Sequence, residues 1–117
     1  MAYIQQLLKG LIDPIILSLI NRLPMYGYQI VKELAQKAEG GLTLKEGTVY
    51  PALMRLERKG LVTSKWQQTD RRRGRRYYQI TERGRRFLTS CLSEWHEFCV
   101  VINKLTQETD SCDEVSQ

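Results

Sequence analysis

One histidine, three cysteines and three prolines are all that this chain of 117 residues holds of those types. A single histidine leaves little material for general acid–base work. No nucleophile–base pair and no glycine-rich phosphate loop after a strand stands out, so an enzyme is not expected. Cys91, Cys99 and Cys112 are odd in number and form no framework, which suits free thiols in a reducing cytoplasm. A metal needs clustered ligands, usually about four. Cys91 and Cys99 lie two helical turns apart, and His96 falls off their face, so neither metal nor cofactor is expected. Buried free cysteine behaves as a small hydrophobe. Long apolar runs are missing as well. The stretch Ile12 to Ile20 is short and broken by Asp13, Pro14 and Ser18, and nothing at the N-terminus reads as a secretory signal. The expectation is a cytoplasmic chain with no membrane partner.

Acids are scarce in the middle. Between Arg55 and Arg86 three acids face twelve Lys or Arg, a local balance of +9, whereas Phe87 to Gln117 carries one Lys against six acids. The density peaks at Asp70–Arg71–Arg72–Arg73–Gly74–Arg75–Arg76–Tyr77–Tyr78. Five arginines around one glycine stabilise no core, but they suit an exposed tip that meets a polyanion, because guanidinium makes paired hydrogen bonds to phosphate or guanine edges. A charge run is more often a merely solvated surface, so the neighbouring elements must decide.

At this length one domain is expected, and no internal repeat is visible. Tyr3 to Lys9 reads as a short amphipathic helix. Asp13–Pro14 reads as the cap and first residue of a second helix, to about Arg22, apolar nearly all round. Leu23–Pro24–Met25–Tyr26–Gly27 is a break. A helix follows from about Tyr28 to Lys37, stopped by Gly40–Gly41, and another from Glu46 to Lys59, closed by Gly60. Pro51 inside the latter predicts a bent or irregular first turn. Leu61–Gln67 and Arg76–Ile80 read as strands around a turn. Thr81–Glu82 then caps a helix running to about Leu105, roughly 36 Å long, before a polar acidic tail.

This order predicts a mostly α, α+β winged helix-turn-helix with a long C-terminal dimerisation helix. The expected division is residues 1–80 for the winged unit, 81–106 for that helix and 107–117 for the tail. In such a unit the second helix of the pair enters the major groove and the hairpin tip touches adjacent backbone. Here these are Glu46–Lys59 and Gln68–Arg75.

The motifs Gly27–Tyr28–Gln29–Ile30, Gly47–Thr48–Val49–Tyr50–Pro51–Ala52–Leu53, Arg55–Leu56–Glu57, Lys59–Gly60–Leu61–Val62 and Gly74 to Gly84 occur in order. On these residues the chain resembles the PadR family of bacterial transcriptional regulators, over roughly Leu11 to Leu105. The C-terminal helix resembles that of the small subfamily. The resemblance implies a homodimer that binds a double-stranded DNA operator, as a repressor, with a small aromatic or hydrophobic effector at the dimer interface. A winged-helix module binding RNA or protein is the alternative. Lys45 departs from the small polar residue frequent in the family, yet adds a charge where a phosphate would lie.

The candidate DNA-binding residues are Tyr28, Lys45, Gly47, Thr48, Tyr50, Arg71, Arg72, Arg73 and Arg75. For Tyr50 and Tyr28 the bland reading is ring packing. Arg76 is a candidate for pairing with an acid on the sheet, and Arg55 and Arg58 sit late on the helix, where a surface role is as good. The apolar stripe of the last helix is too wide for one small domain. Leu88, Leu92, Trp95, Cys99 and Ile102 form one row and Cys91, Phe98 and Leu105 part of a second, so a dimer interface is expected there. By resemblance, Trp95 lines an effector slot with Leu7, Leu11, Pro14, Ser18, Leu92 and Cys99 as candidate walls. Plain dimer-core packing is the other reading of Trp95, and the two are compatible.

Overall fold

The computed structural model describes residues 2–68 and 74–107. Eight elements follow one another: α1 (Ala2–Lys9), α2 (Ile12–Ile20), β1 (Met25–Tyr26), α3 (Gly27–Lys37), α4 (Glu46–Arg58), β2 (Val62–Gln68), β3 (Gly74–Ile80) and α5 (Glu82–Thr106). The sheet is antiparallel, in the order β1-β3-β2. The core forms where α2, α3 and α4 meet the base of the hairpin. Ile16, Leu17, Ile20, Ile30, Val49, Leu53, Leu56 and Val62 are fully buried there. Apart from Val62, which is on β2, these are the apolar positions that helical spacing places on one face of each helix. This is the mostly α winged-helix architecture expected from the sequence.

Two details differ from expectation, each for a tertiary reason. Helix α2 begins at Ile12 with Leu11 in the cap position, not Asp13. Asp13 instead lies in the first turn, where its carboxylate accepts from Arg55 Nη2 at 2.7 Å. Pro14 is still tolerated, because the first four N–H groups of a helix have no intrahelical partner. The supposed break at Met25–Tyr26 is a short edge strand, paired Met25 to Tyr78 and Tyr26 to Tyr77. The Tyr26 and Tyr77 rings meet edge-on at 5.3 Å between centroids. Helix α4, as expected, contains Pro51 within its span.

The end of α4 fixes where the hairpin and α5 go. Gly60 adopts φ of 77°, the left-handed conformation that favours glycine. Its N–H reaches the Glu57 carbonyl at 3.0 Å, and that of Leu61 reaches Leu56 at 3.0 Å. This is a Schellman closure, with buried Leu61 and Leu56 as its apolar pair. Thr81 caps α5 as expected, accepting from the Gly84 N–H at 2.9 Å. Its hydroxyl also donates to the Gly60 carbonyl at 2.8 Å. One side chain thus ties the end of α4 to the start of α5. Only Gly84 and Leu88 of α5 are buried; beyond them the helix runs past α2 with most of its apolar side chains exposed.

Candidate nucleic-acid interface

The first turn of α4 is open. Lys45 occupies the cap position in extended conformation, with no side-chain cap bond. Lys45 and Gly47 are exposed, and nothing lies within 4 Å of where a Gly47 side chain would start. Backbone N–H groups at this end are therefore reachable from outside. Thr48 is half-buried one residue on.

Tyr50 packs and faces outward at once. Its ring lies on Gly27, at the start of α3, so closely that a Cβ there would overlap Cε1 and Cζ. Yet 40% of the residue remains exposed. A side chain at position 27 would thus displace the tyrosine ring that covers it. Tyr28 is exposed next to Gly27, with Lys32 Nζ 5.6 Å from its ring centre.

The hairpin supplies the facing wall. Arg75 Cζ sits 4.3 Å above the Tyr26 ring, an exposed guanidinium held by an aromatic. Arg76 takes a different route from the one expected. Its Nε donates to Ser64 Oγ at 2.9 Å, and Ser64 Oγ donates to Glu57 Oε2 at 2.8 Å. The acid it reaches, through Ser64, lies on α4 and not on the sheet, so hairpin and helix are joined by a polar chain. Arg71, Arg72 and Arg73 lie outside the described residues. Arg55 faces the other way, in its ion pair with Asp13, whereas Arg58 lines a groove with Tyr50, Met54, Glu57, Arg76 and Tyr78. Burial pushes the Tyr78 hydroxyl above its ordinary pKa, with Arg76 acting against it.

Together these elements enclose a concave surface of about 610 and 600 Å³ in two adjoining lobes. The second is walled by Tyr26, Gly27 and Tyr28 on one side, Glu46 and Tyr50 on α4, and Trp66, Gly74, Arg75, Arg76 and Tyr78 on the hairpin. Arginines interleaved with aromatic faces can hold phosphates and stack on flat groups. The structure thus brings Tyr28, Tyr50 and Arg75 to one cleft, with Lys45, Gly47 and Thr48 at the adjoining end of α4. Sequence reasoning missed Trp66. Its place in the strand alternation was visible, but which end of the hairpin outruns the core was not.

A second concavity, about 650 Å³, lies between the α1–α2 turn and α5. Leu11, Pro14, Ser18, Leu92 and Trp95 line it, along with Gly10, Ile15, Cys91, Glu94 and Phe98. Leu7 and Cys99, named from the sequence, do not. Residues 91, 94, 95 and 98 share one helical face, a signal that was there to use. Burial, then Glu94 and Asp13, push the Cys91 thiol above its ordinary pKa, which keeps it protonated and poorly nucleophilic. Leu88, expected at the dimer interface, instead packs in its own protomer's core at 5% exposure. Leu92, Trp95, Phe98, Ile102 and Leu105 are exposed, while Cys91 and Cys99 are half-buried. Among the described residues no group of acids, cysteines and histidine is placed to hold a metal, and no helix is long and apolar enough to cross a membrane.

Comparison with known proteins agrees with this fold. The model of the transcriptional regulator PadR-like family matches residues 16–90. A transcriptional regulator from Clostridium thermocellum superposes with a TM-score of 0.80 at 35% identity, covering 86% of this chain and 95% of that one. A PadR family transcriptional regulator from Eggerthella lenta gives 0.80 at 35% identity, covering 89% and 88%. An uncharacterized protein from Lysinibacillus sphaericus is 32% identical over 97 residues, 83% of this chain and 89% of its own length.

Proposed function

This chain belongs to the transcriptional regulator PadR-like family, and from that premise we propose that it is a cytoplasmic, non-catalytic repressor that binds operator DNA as a homodimer. The observation that carries the reading is the cleft in which the open end of α4 faces the arginine-bearing hairpin. A major groove admits a helix, and α4 presents Gly47, Thr48 and Tyr50 at its leading end. The hairpin then lies against the flanking backbone, where Arg71, Arg72, Arg73 and Arg75 add affinity without reading sequence.

The dimer is built on α5, as an element appended to the winged unit of residues 1–80. Leu92, Trp95, Phe98, Ile102 and Leu105 leave a large apolar area in water, and a two-fold axis lets the same stripe cover itself. Two α4 helices then meet half-sites about one turn, ~34 Å, apart.

A small aromatic or hydrophobic effector fits the concavity beside Trp95, whose walls are mostly apolar with one carboxylate, Glu94. Such a ligand relieves repression only if it favours the DNA-incompetent arrangement. The Thr81 cap of α5 supports such coupling, since its hydroxyl donates to the Gly60 carbonyl just beyond α4. Replacing Thr48 and Tyr50 together with alanine tests the reading. Loss of promoter binding with an intact dimer is expected. Unchanged nucleic-acid affinity would mean that α4 is not the reader.

A further inference from the structure

Val62, Ser64 and Trp66 share one face of β2, opposite Ile80, Tyr78 and Arg76 on β3. At the base of the hairpin this face is core: Val62 is 1% exposed and Ile80 4%. At mid-length it leans on α4 through Ser64 and Glu57. At the distal end it outruns the protein, and Trp66 is 68% exposed. Arg76 lies 5.6 Å from the indole centre. Gly74, on the same face, adds no side chain beside it. The hairpin does not need an indole there, since a small polar residue would serve an exposed strand position and leave less apolar surface in water. Trp66 opens onto the cleft shared with Tyr28, Tyr50 and Arg75, in the most basic stretch of the chain, and it also lines a smaller hollow with Lys65 and Tyr77.

Resting on the DNA-binding reading of that cleft, we infer that Trp66 is itself a DNA contact, whose indole packs on the deoxyribose edge of one backbone strand seated between α4 and the hairpin. Charge selects the occupant. Arginines flanking an aromatic face match a strand in which phosphates alternate with apolar sugar edges, and aromatic packing on nucleic acid does not depend on sequence. The contact has a signature unlike that of the arginines beside it. A sugar contact releases no counterions, so it contributes affinity without salt dependence, and it is equal on every duplex.

The test uses the full-length protein, labelled duplexes from its own promoter region and of random sequence, and a salt series followed by fluorescence anisotropy. Trp66→Ala, with unchanged melting, is expected to weaken binding roughly five- to tenfold on both duplexes. The slope of log affinity against log salt should stay as in the wild type, and Trp66→Tyr should keep most of the affinity. In Trp95→Phe, where Trp66 is the remaining tryptophan, emission should change on adding DNA. Wild-type affinity in Trp66→Ala, or silent Trp66 emission while anisotropy rises, would overturn the inference and leave the DNA-binding reading standing. A loss confined to the promoter duplex would overturn it in favour of base reading, and a changed salt slope in favour of an effect through Arg76. If the wild type binds neither duplex, the DNA-binding reading falls and the inference with it.

Discussion

Gly27→Ala separates packing from binding. A Cβ at this position overlaps the Tyr50 ring at Cε1, Cζ and the hydroxyl. The obstacle is the outer end of a side chain that is 40% exposed, so Tyr50 has room to swing into solvent. Stability should therefore change little. Loss of the ring's packing costs on the order of 1 kcal/mol, offset by a comparable helix preference of alanine over glycine. Binding should change much more, because the displaced phenol leaves the cleft. A hydrogen bond from its hydroxyl to phosphate is worth about 1.5–3 kcal/mol, or roughly ten- to a hundredfold in affinity. Tyr50→Phe should lose a similar amount. The double variant should lose scarcely more than either alone, since both changes remove one contact. Anisotropy with the promoter duplex gives the affinities, and thermal melting gives the stabilities. Wild-type affinity for Gly27→Ala, or additive losses in the double variant, would refute the reasoning.

Gly84→Ala should behave in the opposite manner. Its Cβ meets the Leu61 carbonyl, a backbone group already bonded to Thr81 N–H at 3.0 Å, so a loss of about 1–3 kcal/mol should appear as a lowered melting temperature at fixed protein concentration. Reversing Arg72 and Arg73 to glutamate should abolish operator binding in an electrophoretic shift assay while leaving the sedimentation of the dimer unchanged. Trp95→Ala should remove the fluorescence response to flat aromatic compounds, and a surviving response would assign that signal to Trp66. Stability should also fall in alkali. Cys91 and Tyr78 have pKa values raised by burial in the fold, so the unfolded chain releases their protons at lower pH. Their contribution is complete below the ordinary thiol and phenol ranges and is lost as pH climbs through the raised values. Melting at pH 8 and above pH 10 checks this, and Cys91→Ser should flatten the decline.

The helix pair and hairpin were legible because their signals are local. Gly60 closes α4 through its own backbone conformation, Thr81 caps α5 three residues from its donor, and alternation marks the two long strands. What failed was set by partners far along the chain. Asp13 before Pro14 has the local pattern of a cap, but Arg55, 42 residues away, takes its carboxylate. A strand of two residues, Met25–Tyr26, has no period to read and exists because β3 offers an edge. Helical spacing showed that the α5 stripe is wide, but not that Leu88 belongs to the protomer's own core. In the cleft, the arginines announced themselves by density. Trp66 did not, because an alternating strand looks the same whether its face covers a core or overhangs a groove.

The proposed function requires that α4 read one operator while the hairpin holds the flanking backbone. Fluorescence anisotropy of the purified protein against duplex from its own promoter region and random duplex, across a salt series, tests it most directly. Tight, promoter-selective binding is expected, with affinity that falls steeply with salt and a preference for the promoter that survives. Weak and equal binding to both duplexes, vanishing as salt rises, would contradict it and leave only a basic surface.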